Sequence, residues 1–235
     1  PLQSLDIVYP NKEFDKIING EPTTMNSDDI VKRIVGKNGL MNIMSYITTD
    51  QIRYNFQYKP ETIENYGRIF SQAVLPNYSG KITSICNTIM RSKGIIIVYS
   101  QYIDGGVVPV ALALEELGFT RYGSATYTKP LFSEPPTEPI DSISMKPKSK
   151  VKGKFKQAKY VMITGDKHFS PDNLNDIKHI TNTDNKNGEN VKVILITKAA
   201  AEGLDFKNVR QVHIMEPWYN NNRPEQIIGR GVRNL

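Results

Sequence analysis

The segment PEQIIGRGVR (Pro224 to Arg233) places a glutamine and two arginines at spacings of four and three. On an α-helix those spacings put Gln226, Arg230 and Arg233 on one face. Ile228, Val232 and Leu235 share another face, which should meet a core. Asn222 is a suitable cap, with Glu225 three residues later in the reciprocal position. Two guanidinium forks side by side suit a polyphosphate, and an arginine can neutralise charge developing on a transferred γ-phosphoryl group. A polar face bonded to solvent or to neighbouring carboxylates is the competing reading. Upstream, TKAAAEGLDF (Thr197 to Phe206) follows an apolar run. Thr197, Gly203 and Asp205 on one loop could meet phosphate, backbone and ribose. An ordinary strand-to-helix connection would fit the same residues.

Both segments need elements to hold them. From Ser79 onward the chain alternates strand-like and helix-like stretches. Ile82, Ile85, Ile89 and Met90 mark one helical face, with Ser79 as its cap. Cys86 should lie on the core side of that helix. GIIIVYS (Gly94 to Ser100) is β-branched and apolar throughout, as in strands buried on both faces of a parallel sheet. Gly105-Gly106 then opens a helix through VVPVALALEELGF, where Pro109 is tolerated in the first turn. YVMITGD (Tyr160 to Asp166), VKVILIT (Val191 to Thr197) and VRQVHIM (Val209 to Met215) read as further strands. His213 falls in the last of these. Leu174, Ile177 and Ile180 mark a helix. The pattern predicts an α/β three-layer sandwich around a mostly parallel sheet, with ligands at the carboxyl ends of its strands.

Residues 1–78 read as an N-terminal α+β extension. A helix should start at Asn26-Ser27-Asp28-Asp29, carry Ile30, Val31, Ile34 and Val35, and stop near Gly36 and Gly39. Tyr54, Phe56 and Tyr58 alternate as in a strand and suit a packed face better than base stacking. The stretch from about 129 to 158 holds five prolines and little apolar periodicity, which predicts a partly disordered surface insertion in a domain spanning 79–235.

With 39% hydrophobic and 23% charged residues the balance is that of an ordinary globular chain. A single cysteine excludes an internal disulfide, and three scattered histidines make a metal cluster unexpected. No run is long enough to span a membrane and no signal pattern opens the chain, so an intracellular protein is expected. The net charge of +6 is local: seven lysines and no carboxylate fall between Lys146 and Lys159. Without them 23 basic residues face 24 acidic ones. Lys148, Lys150, Lys152 and Lys154 could neutralise phosphates, or could line a solvated loop.

Taken together, Thr197…Gly203-Leu204-Asp205 and Gln226-x-x-Gly229-Arg230-x-x-Arg233 resemble motifs V and VI of superfamily 2 helicases. IIIVYS matches motif IV, and YVMITGD the strand and turn after it. SQYIDGGVVPVALALEELGF and EGLDFKNVRQVHIMEPWYNNNRPEQIIGRGVRNL are similar to the large cytoplasmic DNA virus helicases of the poxvirus early transcription factor small subunit type. The likeness covers roughly residues 79–235 and fails in the Pro- and Lys-rich stretch. It implies a second RecA-like motor domain, with residues 1–78 as the variable region between motors. Arg230 and Arg233 would be arginine fingers, Gln226 would position nucleotide or water, and Gly203 and Asp205 would approach the ribose. Thr197, Ser100, Gln101, Thr164 and Gly165 would hold a DNA or RNA backbone, and Gly105 and Gly106 would offer helix N-terminal amides to it. The resemblance further implies association with viral transcription machinery, in the host cytoplasm and the virion.

No GxxxxGK[ST] phosphate loop occurs; Gly80-Lys81 is followed by Ile82. ATP and magnesium are therefore expected on a first RecA-like domain of the same parent chain, and this chain alone is expected to be an inactive fragment of an ATP-dependent helicase. One rival is a non-catalytic nucleic-acid-binding scaffold in a transcription complex. A small-molecule α/β enzyme is the other, and it lacks a dinucleotide glycine fingerprint and a nucleophile–base pair.

Overall fold

Seven strands and seven α-helices form in the computed structural model, which describes residues 2–198, 206 and 208–216. In chain order they are α1 (Lys12–Ile18), α2 (Ser27–Ile34), α3 (Gly36–Ile43), β1 (Met44–Thr48), β2 (Arg53–Tyr58), α4 (Pro60–Tyr66) and α5 (Gly80–Arg91). Then come β3 (Ile95–Ser100), α6 (Val108–Glu116), β4 (Thr120–Tyr122), β5 (Lys159–Ile163), α7 (Asn173–Ile180), β6 (Val193–Thr197) and β7 (Val209–Ile214). The loop at 199–205 and the helix expected from Asn222 lie outside the described residues.

The apolar runs form a five-stranded sheet in the order β4-β5-β6-β3-β7, with every neighbouring pair parallel. Successive side chains point to opposite faces, and each face has its own core. Ile96, Val98, Tyr160, Met162, Val193 and Leu195 pack with α5 and α6. Ile95, Ile97, Tyr99, Val161, Ile163, Ile194 and Ile196 pack with Ile180 of α7. Helices therefore cover both faces, giving the three-layer α/β sandwich that the sequence predicts. Ser79 caps α5 by accepting from the Ile82 amide, and Cys86 is buried there, its thiol pushed up to about 12 by desolvation. Strand β7 is less buried than β3 and β6, whose residues are all buried. Among the described residues it ends the sheet, and Gln211 to Ile214, His213 included, are only half-buried.

Residues 2–78 share the first core, since Ile7, Tyr9, Leu40, Ile43, Phe56 and Phe70 belong to the same cluster as Ile96 and Leu195. The expected helix from Asn26 is α2, capped by the Asn26 side chain and ended at Val35 just before Gly36, and a second helix, α3, follows at once. Gly36 takes φ +57 and starts α3, so the chain turns there. Strands β1 and β2 form an antiparallel hairpin whose register shifts between Ser45 and Ile47, opposite Asn55, which takes φ +58. That left-handed residue breaks the expected single face. Phe56 is buried and stacks on Tyr46 at 4.8 Å, while Tyr54 is half-buried.

The Pro- and Lys-rich stretch differs most from expectation. It is the crossover from β4 to β5, and no α-helix fills it. Leu131, Phe132, Ile140, Met145 and Ala158 are buried, so it packs rather than floats. Glu115 of α6, 2% exposed, anchors it: its carboxylate accepts from the amides of Leu131 (2.8 Å) and Phe132 (2.9 Å) and from the Tyr160 hydroxyl (2.6 Å). Desolvation raises the pKa of that carboxyl against the pull of these bonds. Scattered apolar residues held by one buried acid leave no period of 2 or 3.6 to detect.

Candidate functional site

Sheet register assembles the candidate residues. Ser100 of β3 pairs with Thr197 of β6, and one step beyond the pair Ile163–Ile196 stands Thr164. The hydroxyls of Ser100, Thr164 and Thr197 thus share the carboxyl edge of adjacent strands, where parallel sheets bind ligands. Tyr99 pairs with Ile214, which brings Met215 and Glu216 to the same edge.

Glu216 organises this row. Its carboxylate accepts from the Ser100 hydroxyl (2.6 Å) and the Gln101 amide (2.7 Å), while the Tyr102 amide donates to Ser100 Oγ (3.0 Å). Burial, and then the neighbouring Asp6 carboxyl, push the Glu216 pKa up to about 7 against the Ser100 and Gln101 bonds. Lys81 Nζ donates to Asp6 Oδ1 and to the Met215 carbonyl, both at 2.6 Å. Two carboxyls and one ammonium therefore join the N-terminal segment, α5, β3 and the end of β7. Asp6 Oδ2 is buried beside this row.

The expected contact residues stand differently exposed. Ser100 and Thr164 are buried. Thr164 Oγ1 bonds Ser170 Oγ (2.7 Å) and the Asp166 carbonyl (3.1 Å). Thr197 is buried as well, and its hydroxyl has no partner among the described residues. Gly105 and Gly106 lie in the turn before α6 and are buried. A Cβ on Gly106 would strike Ser100, and one on Gly105 would press on Gln3 and Gly36. These glycines provide close packing in this arrangement, and their amides are not presented at the surface. Gly165 is exposed at the turn after β5. Beyond it, Asp166 accepts from His168 Nδ1 (2.7 Å) and the His168 amide (2.8 Å). Gly203, Asp205, Gln226, Arg230 and Arg233 lie outside the described residues.

The lysine tract is not brought to this edge. Lys148, Lys150, Lys152 and Lys154 are exposed, and none makes an ion pair among the described residues. Their segment precedes β5, and its flanks bond to Gly118, ahead of β4: the Ile140 amide and Gln157 Nε2 both donate to the Gly118 carbonyl. The tract thus borders the amino edge, a strand length of roughly 17 Å from Thr164.

Residues 141–234 match the family of helicase conserved C-terminal domains. The chain carries a helicase C-terminal domain of the large DNA virus type. A termination factor NPH-I homolog of African swine fever virus is 29% identical over 181 residues, covering 69% of this chain and 24% of the relative. A protein of Acanthamoeba polyphaga mimivirus, provisionally named an ATP-dependent RNA helicase, is 33% identical over 165 residues, covering 68% of this chain and 23% of its own. A second mimivirus protein with the same provisional name is 28% identical over 202 residues, covering 78% and 35%. The chain spans about a quarter of the length of the first two relatives. Among the described residues of the helicase domain, no helix is long and apolar enough to cross a membrane. No group of three His, Cys, Asp or Glu side chains there could hold a metal ion.

Sequence reasoning missed Glu216, Asp6 and Lys81. Glu216 directly follows a predicted strand, the one signal that could have marked it. Nothing local identifies Asp6 or Lys81, because their meeting depends on the whole fold.

Proposed function

We propose that this chain is the second motor domain of an ATP-dependent nucleic-acid helicase or translocase. The observation that carries the reading is the extent of the family match. Its residues 141–234 include both Thr197…Asp205 and Gln226…Arg233, in a chain whose parallel sheet aligns Ser100, Thr164 and Thr197 at one edge. ATP and magnesium are held by a first RecA-like domain of the same protein, because no phosphate loop occurs in these 235 residues. Bound there, they supply the γ-phosphoryl group and neutralise part of its charge. This chain contributes Arg230 and Arg233 as fingers toward that group, Gln226 to position it, and Gly203 and Asp205 near the ribose.

Thr197, Gln101 and the Thr164-Gly165 turn border the nucleic-acid track, and Ser100 positions Gln101 through Glu216. Gly105 and Gly106 shape the same loop by letting it close over Ser100. The names of the relatives, an RNA helicase and a termination factor, favour an RNA-linked role in viral transcription. The host cytoplasm and the virion are the corresponding sites of action. The lysine tract adds a separate phosphate contact at the amino edge.

The division of labour is tested by ATP turnover of the 235-residue chain beside that of the full protein, each with saturating single-stranded nucleic acid. We expect turnover only from the full protein. Robust turnover by the chain alone would defeat the assignment.

A further inference from the structure

A cleft of about 220 Å³ lies between β2 and the β4–β5 crossover, lined by Tyr54, Asn55, Lys129, Pro130, Phe132 and Pro135. Lys129 Nζ sits 4.8 Å from the centre of the Tyr54 ring. Left-handed Asn55 separates Tyr54 from the packed row of Phe56 and Tyr58 and turns it into this cleft. Strain in a non-glycine residue persists where the surrounding structure fixes it, often at binding sites. The other tyrosines nearby have structural partners: Tyr58 bonds Glu116, Tyr66 bonds Asp15, and Tyr160 bonds Glu115. The Tyr54 hydroxyl makes no hydrogen bond among the described residues. Its ring is half-buried, and Lys129 is exposed.

The cleft is fastened to the carboxyl-edge loop after β5. The guanidinium of buried Arg121 donates to the Lys129 carbonyl (3.2 Å) and to the Phe169 carbonyl. The Arg53 amide, next to Tyr54, donates to the His168 carbonyl (3.1 Å). The Arg53 guanidinium pairs with Asp104 at 2.7 Å and lies 4.8 Å from the centre of the Phe169 ring. These bonds tie the cleft to His168 and Phe169 in the loop after β5 and to Asp104 in the loop after β3.

We propose that this cleft is a stacking site for an unpaired nucleobase, with the Tyr54 ring as platform and Lys129 as phosphate contact at its rim. An aromatic face accepts any base, and stacking on it outweighs an exposed cation–π contact. A base entering the cleft displaces the lysine stem from the ring, and the freed ammonium turns to the adjoining phosphate. Lys129 is the cation beside the cleft, and a neutral proline-rich peptide would have no use for it. The proposal rests on the reading of the domain as part of a nucleic-acid motor.

The test measures binding of the chain to a labelled oligothymidylate and to an abasic strand of equal length, for wild type, Tyr54→Ala, Tyr54→Phe and Lys129→Ala. We expect Tyr54→Ala to weaken oligothymidylate binding about tenfold, within the range for one stacked base. Tyr54→Phe should keep it, and the abasic strand should not sense Tyr54. Lys129→Ala, at an exposed position, should weaken both strands. Wild-type affinity in Tyr54→Ala, or equal losses on both strands, would overturn the stacking site alone. Failure of the wild-type chain to bind either strand would overturn the nucleic-acid reading along with it.

Discussion

Glu216 holds Ser100 and Gln101 in place from inside the sheet edge, and that arrangement has a consequence in pH. Its carboxyl is raised from 4.5 to about 7, first by burial and then by Asp6. A carboxyl whose folded pKa exceeds its unfolded value binds more protons when folded, so its contribution to stability falls as pH rises between those values. We therefore predict that stability, read from urea midpoints, declines between about pH 4.5 and pH 7 and that Glu216→Gln flattens this decline. An unchanged profile in the variant would assign the titration to another group. The positions of Thr197 and Thr164 at strand ends were legible in the sequence. What escaped detection was burial. Ser100 and Gly106 share one spot because Gly106 lacks a Cβ, a relation no local pattern encodes.

At the scale of elements, strands dominated by β-branched and apolar residues announced themselves, because burial on both faces demands that composition. Strand β4 is only three residues long and carries Arg121, so it gave no such signal. The β4–β5 crossover misled for the opposite reason. Its prolines and lysines look solvated, yet Leu131, Phe132 and Ile140 are buried and Glu115 bonds its backbone. Removing residues 140–158 would therefore disturb the core as well as the charge, and point substitutions are the better probe. Replacing Lys148, Lys150, Lys152 and Lys154 together by alanine should lower the slope of log affinity against log salt by about 3, at ~0.7 per phosphate on a single strand. ATP turnover at saturating nucleic acid should not change, since the tract borders the edge away from Thr164. An unaltered slope would make the tract a solvated face only.

For the whole molecule, two apolar cores sandwich one parallel sheet, and residues 2–78 belong to the first of them. Lys81, Asp6 and Glu216 link that N-terminal part to the chain leading into the Gln226–Arg233 segment. The sequence indicated a helicase C-terminal domain through the order of its motifs. It did not indicate that the N-terminal segment is built into the same core, since that depends on contacts such as those of Tyr9 and Phe56.

The central claim is that Arg230 completes an ATP site formed with another domain. Its most direct test is nucleic-acid-stimulated ATP turnover of the full protein with Arg230→Ala beside wild type. We predict a loss of order 10³-fold, the low end for an arginine finger, with nucleic-acid binding retained. Turnover close to wild type in the variant, or none in the wild-type protein, would contradict the motor assignment and leave a nucleic-acid-binding scaffold in its place.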